Sequence, residues 1–184
     1  IPPQTPFSRA EYAKALGGDA GGAGLTVDSY FERWVRARDF EKGKPIPVFV
    51  ATASGGGLRA GYWSGIVLAK LSDEYPELAR HVFAISGVSG GSLGAAAYAS
   101  AVADANPGNQ RPQYFKTVAQ MLEGDFLSPV LAYLLFEDLM QRFIPVPIKS
   151  WDRSLAMEEA WSVSWKKAGG TDRFSQPFHS LYYP

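Results

Sequence analysis

Apolar residues along this chain follow two patterns, one typical of buried strands and one typical of helices. Two short runs, 45–53 and 81–85, consist mainly of β-favouring apolar residues without alternation, as in parallel strands covered on both faces. The segment between them places apolar side chains on one helical face, namely Trp63, Ile66, Val67 and Leu71. The order strand, helix, strand predicts a parallel sheet in which both strands end at the same edge.

The residues before the first strand are predicted to form a helical lead-in. This segment spans 1–44, and the main α/β domain is expected over 45–184. A first short helix is predicted after Ser8, which can cap its backbone N–H groups. A second helix is expected to be capped by Asp28 or Ser29.

The second half of the chain is predicted to be mostly helical. A helix is expected over 113–122, and Ser128 with Pro129 is predicted to begin another helix that is apolar on nearly all sides. Such a helix fits either burial, in a core or against a further domain, or a cap that faces lipid. Asp152 is expected to cap the last helix.

The composition is that of an ordinary globular domain. Of 184 residues, 46% are hydrophobic and 20% are charged, and 18 basic residues balance 18 acidic ones. A neutral chain has no net attraction for nucleic acid, so we expect no specific nucleic-acid binding. Cysteine is absent, and His81 and His179 lack the spacing of metal ligands, so no metal or other cofactor is expected.

Neither a membrane-spanning segment nor a signal peptide is predicted. No run approaches the roughly 20 apolar residues that a membrane helix needs. The chain begins at Ile1 without a signal-peptide pattern. We therefore expect it to be a piece of a longer protein.

The strongest candidate for chemistry is Ser89, at the centre of the motif Gly-Val-Ser-Gly-Gly over 87–91. The motif follows the second strand and passes directly into a small-residue helical segment, which is the layout of a nucleophile elbow. Glycines on both sides permit the strained backbone that exposes the serine hydroxyl. The alternative is a glycine-rich turn without catalytic function.

A second glycine cluster, Gly55, Gly56 and Gly57, follows the first strand. Because parallel strands end at one edge, the cluster is expected beside Ser89, where its N–H groups could bind a developing oxyanion. Arg59 could hold a phosphate or carboxylate there, or form a salt bridge that braces the loop.

A dinucleotide site is the main alternative for this glycine cluster. The sequence from Gly55 to Ala60 formally fits G-x-G-x-x-A after a strand. That fold also needs an acidic residue at the end of the second strand, where this chain has Ser86 to Ser89 instead. A nucleotide-binding oxidoreductase is therefore the weaker hypothesis.

Together, Ser54-Gly-Gly-Gly-Leu-Arg-Ala60 and Gly87-Val-Ser-Gly-Gly-Ser92 resemble the patatin-like phospholipases, including the related cytosolic phospholipase A group. The resemblance implies an α/β fold, a three-layer α/β/α sandwich with a mainly parallel sheet, of which this chain would hold the amino-terminal part. It implies hydrolysis of lipid acyl esters without a cofactor, and contact with a membrane surface.

The resemblance also implies roles for individual residues. Ser89 corresponds to the nucleophile of a Ser-Asp dyad. The three glycines, Gly55, Gly56 and Gly57, correspond to the donors of the oxyanion hole, and Arg59 corresponds to the loop arginine, which we expect to bind substrate.

One part of the family pattern is missing from this sequence. The family's aspartate precedes Gly-Gly or Gly-Ala, but here no aspartate is followed by glycine. Three explanations remain open: the aspartate lies in a longer parent chain, the protein is an inactive relative that binds lipid or a partner, or an internal triad joins Ser89 to His179 and Asp152 or Asp172.

Overall fold

A computed structural model describes residues 27–38, 40–41, 43–105, 112–146, 148 and 150–176. The chain divides into two compact units, Ile1–Val48 and Phe49–Pro184. The division that the sequence predicts, after residue 44, stays a prediction. The helix expected after Ser8 lies outside the described residues.

The described part of the first unit is organised around one tryptophan. Helix α1 spans Val27–Arg36 and buries Trp34. The Trp34 ring stacks on Phe31 at 5.7 Å and packs against Phe40 at 5.4 Å. The Arg38 guanidinium lies 4.8 Å from the Trp34 ring centroid. Because α1 begins at Val27, Asp28 and Ser29 lie in its first turn, and the prediction that one of them precedes and caps it was wrong.

The second unit contains the predicted parallel sheet. Strand β1 spans Phe49–Ala53 and strand β2 spans Val82–Gly87, and the two pair in parallel, with Ala51 opposite Ile85. Helix α2 (Gly57–Glu74) and the short helix α3 (Leu78–His81) connect them. The two-stranded parallel sheet confirms a mixed helix and strand fold, with both strands ending at one edge.

The strands are not covered on both faces within the described residues, contrary to the expectation from their apolar sequence. Ala53 is buried and Ile85 packs against the core, whereas Val50 is 62% exposed. The alternate positions Thr52 and Ala84 are also exposed. One face of this sheet is therefore covered by helices and the other is open.

Helix α4 (Gly90–Asp104) crosses α2 at very close range because glycines line the contact. A methyl group on Gly61 would lie 2.6 Å from the carbonyl oxygen of Gly90, and one on Gly94 would overlap the carbonyl of Gly61. Further along the crossing, the hydroxyl groups of Ser72 and Tyr98 share a buried hydrogen bond of 2.7 Å. Small residues thus let the two backbones meet directly.

The hydrophobic core lies where α2 and α4 meet two later helices, α5 (Tyr114–Leu122) and α8 (Arg153–Lys167). Its fully buried large side chains are Trp165, Tyr98, Met121 and Val118. The Asp73 carboxylate near the end of α2 accepts hydrogen bonds of 2.9 Å from the N–H groups of Tyr114 and Phe115. These two hydrogen bonds cap α5 and join it to α2.

The apolar segment after α5 differs from the prediction. It forms two helices, α6 (Leu127–Leu135) and α7 (Glu137–Gln141), which are separated at Phe136. Asp125 caps α6 by accepting hydrogen bonds from Leu127 and Ser128, so Ser128 lies inside the helix and is not its cap. The prediction of one helix starting at Ser128 was therefore wrong, because an acidic side chain three residues earlier caps the backbone.

The last helix begins as predicted. The Asp152 carboxylate accepts a hydrogen bond of 2.8 Å from Ser154 N–H at the start of α8. After α8, a 3-10 turn spans Arg173–Ser175. Across the described ranges, no helix is both long enough and apolar enough to span a membrane.

Candidate active site

Ser89 occupies the sharp turn between β2 and α4. Its backbone has φ 53° and ψ −127°. Among the residues that the structure describes, it is the one non-glycine residue with positive φ. Such a conformation costs about 1–3 kcal/mol and persists only where the surrounding structure imposes it. It is the strained strand-to-helix geometry that exposes a serine hydroxyl.

Backbone hydrogen bonds on both sides hold this turn. Val88 N–H donates to the carbonyl of Ala53 at 3.0 Å and so extends the sheet to the residue before Ser89. Gly91 N–H donates to Val88, and Ser92 N–H donates to the Ser89 carbonyl at 2.9 Å. A methyl group on Gly91 would lie 2.6 Å from the Ala53 carbonyl oxygen, so the turn needs glycine there.

The first glycine turn lies directly beside Ser89. A methyl group on Gly55 would be 3.5 Å from Ser89 Cβ and 3.4 Å from the Val88 carbonyl oxygen. The predicted meeting of the two turns at one edge of the sheet is therefore present in the structure.

Several backbone N–H groups at this edge have no acceptor within the described residues. They include those of Gly56 and Gly57, where α2 begins and the backbone has φ 150° and 62°. Gly90, at the first position of α4, likewise has a free N–H. The amino-terminal ends of α2 and α4 abut here, because a methyl group on Gly90 would overlap the Gly57 carbonyl. Free donors and two helix dipoles make the edge attractive to negative charge.

Gly90 was not among the donors that the sequence predicted. Its position immediately after the serine was the available signal, because the N–H of that residue is a common oxyanion donor at nucleophile elbows. The sequence instead predicted the oxyanion donors in the longer glycine cluster, Gly55 to Gly57.

Arg59 lies in the first turn of α2 and is exposed to solvent. No ion pair or hydrogen bond to its guanidinium occurs in the part of the chain that the structure describes. A bracing salt bridge, the alternative interpretation of this residue, is therefore not present there.

No described carboxylate or imidazole forms a hydrogen bond with Ser89 Oγ. Asp152 caps α8, where the hydrogen bond from Ser154 N–H lowers its pKa and weakens it as a base. Asp172 forms an ion pair of 2.6 Å with Lys166, and His179 lies outside the described residues. The internal triad gains no support from these contacts.

Comparison with known proteins identifies one family. The family model described as patatin-like phospholipase matches residues 52–176, which include both glycine turns, Ser89 and α8. Neither the search of curated proteins nor the search of solved structures returns a match. The family match covers more than half of the chain and favours acyl transfer over a dinucleotide site.

Proposed function

The chain belongs to the patatin-like phospholipase family, and we propose that it is a serine acyl hydrolase that cleaves lipid esters with Ser89 as the nucleophile. Membership of this family indicates lipid substrates. The observation that carries the proposal is the backbone of Ser89, with φ 53° and ψ −127° at a strand-to-helix turn. Such strain is typical of a serine that is displayed to a substrate.

In the proposed reaction, Ser89 Oγ attacks the acyl carbonyl carbon while a base takes the hydroxyl proton. The carbonyl oxygen becomes an oxyanion, and free N–H groups of Gly56, Gly57 and Gly90 support its stabilisation; each such donor is worth roughly 3–4 kcal/mol. The ester C–O bond then breaks, and the alcohol leaves with the proton. Water attacks the acyl-serine in turn and releases a carboxylic acid.

Gly55 remains a proposed donor beside Gly56 and Gly57. It lies next to the nucleophile, because a methyl group on Gly55 would be 3.5 Å from Ser89 Cβ. Arg59 would bind an anionic part of the substrate, because it is exposed at the start of α2 and no described residue forms an ion pair with it.

The proposed base is an aspartate outside the described residues. A serine without a base is a poor nucleophile at neutral pH. Within the described ranges, the aspartates Asp73, Asp104, Asp125 and Asp152 bind backbone N–H groups elsewhere. The resemblance to the family supplies the hypothesis of a Ser-Asp dyad.

We also propose that the two-stranded sheet belongs to a three-layer α/β/α sandwich. The open face of the sheet supports this, because Val50, Thr52, Ala84 and Ser86 are exposed while the opposite face packs on helices. Apolar strands of this kind are usually covered on both sides.

A second candidate function is binding of lipid or a partner without catalysis. It is favoured by the environment of the Ser89 hydroxyl, which has no hydrogen-bond partner within the described residues. The two candidates differ in whether Ser89 is chemically activated.

Labelling with a fluorophosphonate probe tests this difference, because the probe reacts with activated serines and requires no known substrate. We expect one label per chain, on Ser89 by mass spectrometry, and complete loss of labelling in Ser89→Ala. Ser92→Ala is the matched control, since it removes an exposed hydroxyl three residues away, in the first turn of α4, and it should label normally. If the folded chain and a longer parent chain both stay unlabelled, the binding function is favoured; labelling that survives Ser89→Ala would refute the assignment of the nucleophile.

A further inference from the structure

A cleft of about 440 Å³ lies between α6, α7 and the start of α8. It has an apolar part and a charged part, lined by Leu134, Leu135, Leu139, Asp138, Gln141, Arg142 and Arg153. Small-molecule sites in proteins are usually about 300–1,000 Å³ and combine an apolar wall with a few polar groups. The volume falls within that range, and the cleft is open to solvent, since the leucines that line it are 41–60% exposed.

Side-chain hydrogen bonds fix the shape of this cleft. The Gln141 amide donates to the carbonyls of Ile144 and Val146, at 3.2 and 2.9 Å, and accepts a hydrogen bond of 2.8 Å from Ile148 N–H. These bonds fold the segment after α7 back over the helix. On the other side, Arg153 and Asp138 form an ion pair of 2.8 Å that joins α8 to α7.

Within the described residues, one arginine of the cleft has no partner for its charge. Of its two arginines, Arg153 is paired with Asp138, whereas no acceptor for Arg142 occurs in the described part of the chain. Glu137 is the nearest further acid in sequence; it does not line the cleft, and its Oε2 is buried without a hydrogen-bond partner. A ligand that fits the lining therefore needs an apolar body and an anionic head.

We propose that this cleft binds a free long-chain carboxylate, with the acyl chain along Leu134, Leu135 and Leu139 and the carboxylate on the Arg142 guanidinium. The planar guanidinium can bind a carboxylate through two parallel hydrogen bonds. Binding at this cleft does not require the proposed reaction, although that reaction would release such a ligand as its product.

The charge and shape of the cleft favour a single amphiphile over a bilayer. Electrostatic docking to an anionic membrane usually requires a cluster of about 4–8 basic residues, whereas among the described residues the cleft has one unpaired arginine. The cleft also has room for one acyl chain beside the arginine, although its leucines stay partly open to solvent. A bilayer is the alternative occupant that the experiment must separate.

The test is a fluorescence titration with parinarate, a fluorescent long-chain carboxylate, kept below its micelle concentration. The 184-residue chain with Ser89→Ala is used throughout, so that acyl transfer at Ser89 does not contribute. We expect saturable binding at one site. Arg142→Gln should raise Kd about three- to ten-fold, as for loss of a charge-assisted hydrogen bond at a partly exposed site. Leu139→Asn should raise Kd about five-fold or more through lost apolar contact.

Two controls identify the site and the head group. Arg80→Gln removes the same charge from an exposed position on α3 and should leave Kd unchanged. Dodecanoate should displace parinarate, and dodecanol should displace it at least three-fold less well. Equal Kd values for Arg142→Gln and its parent, or equal displacement by acid and alcohol, would overturn the proposal.

A binding measurement with lipid vesicles distinguishes the two occupants, a single long-chain carboxylate and a bilayer. Binding to anionic vesicles that is lost in Arg142→Gln, without saturable binding of monomeric parinarate, would assign the surface to a membrane and overturn the proposal. The failure of fluorophosphonate labelling would not affect the parinarate result, so the proposed function and this inference can fail independently.

Discussion

Two regions of the second unit, the crossing of α2 and α4 and the pair α6 and α7, are organised in opposite ways. At the crossing, backbones touch, and the positions that matter are small or buried, such as Gly90, Gly94 and Ala97. In and directly after the α6–α7 pair, large apolar side chains remain open to solvent; Phe136, between the helices, is 67% exposed, and Phe143, after α7, is 77% exposed.

The two regions differ in what determines their local structure: backbone contacts at the crossing, and side chains at the α6–α7 cleft. Ser89 is held by the sheet ladder and by the close contact of two helix starts, so its conformation depends on the absence of side chains around it. The α6–α7 cleft depends on which side chains are present, namely leucines and an arginine that has no partner among the described residues. We expect substitutions to act on the fold and on the proposed nucleophile together in the first region, and on the proposed ligand binding alone in the second.

The largest expected effect is that of Gly90→Ala at the crossing. The added methyl group would overlap the Gly57 carbonyl, so the starts of α2 and α4 must move apart. We expect a loss of about 3 kcal/mol or more in the free energy of unfolding, measured by urea denaturation, since rigid backbone cannot yield as a side chain would. Fluorophosphonate labelling of Ser89 should disappear with it.

Gly169→Ala is the matched glycine control. Gly169 has φ 89° but open space around it, so alanine there costs only backbone strain of about 1 kcal/mol. If the two substitutions prove equally mild, the close contact at the crossing does not exist as described.

The crossing was also the region that sequence predicted best. Glycine spacing, a short apolar run and a small-residue helix are local signals, and they located Ser89, the turn of Gly55 to Gly57 and the parallel pairing correctly. Fluorophosphonate labelling tests separately whether Ser89 also has the predicted chemical role.

The features that the sequence could not predict depend either on contacts between residues far apart in the chain or on a local hydrogen bond that replaces the predicted one. Asp125 displaced Ser128 as the cap of α6 because its carboxylate reaches two N–H groups at once. The break at Phe136 divides a segment whose apolar pattern is continuous. The cleft at α7 requires Arg153, which lies 15 residues from its partner Asp138, and no pattern within one helix reveals it.

A second prediction concerns the far end of α4, where Asp104 joins the crossing to the segment after α8. Its carboxylate accepts hydrogen bonds from Thr171 N–H and Oγ and from Arg173 Nε. Burial raises the pKa of Asp104, but these hydrogen bonds outweigh it, and the pKa is lowered. We expect Asp104→Asn to lower the free energy of unfolding at pH 7 by about 2 kcal/mol, because a largely buried pair loses one charge.

The pH dependence of this effect has a definite sign. A lowered folded-state pKa means that the contribution of Asp104 is complete above its unfolded pKa of about 3.9 and is lost as pH falls through the lower, folded value. Urea midpoints of wild type and Asp104→Asn should therefore differ at pH 6 and converge below pH 4. A difference that stays constant across this range would mean that the stabilisation does not come from the ionised carboxylate.

The smallest expected effect is at Phe143, in the segment that follows α7. Phe143→Ala removes a large apolar side chain that is 77% exposed, so the free energy of unfolding should change by less than about 0.5 kcal/mol. Phe126→Ala is the matched control, because Phe126 is 5% exposed and belongs to the core, and it should be strongly destabilising. A loss above about 1 kcal/mol for Phe143→Ala would mean that this surface packs against another part of the chain. The segment beside the α6–α7 pair would then contribute to the core as the crossing does.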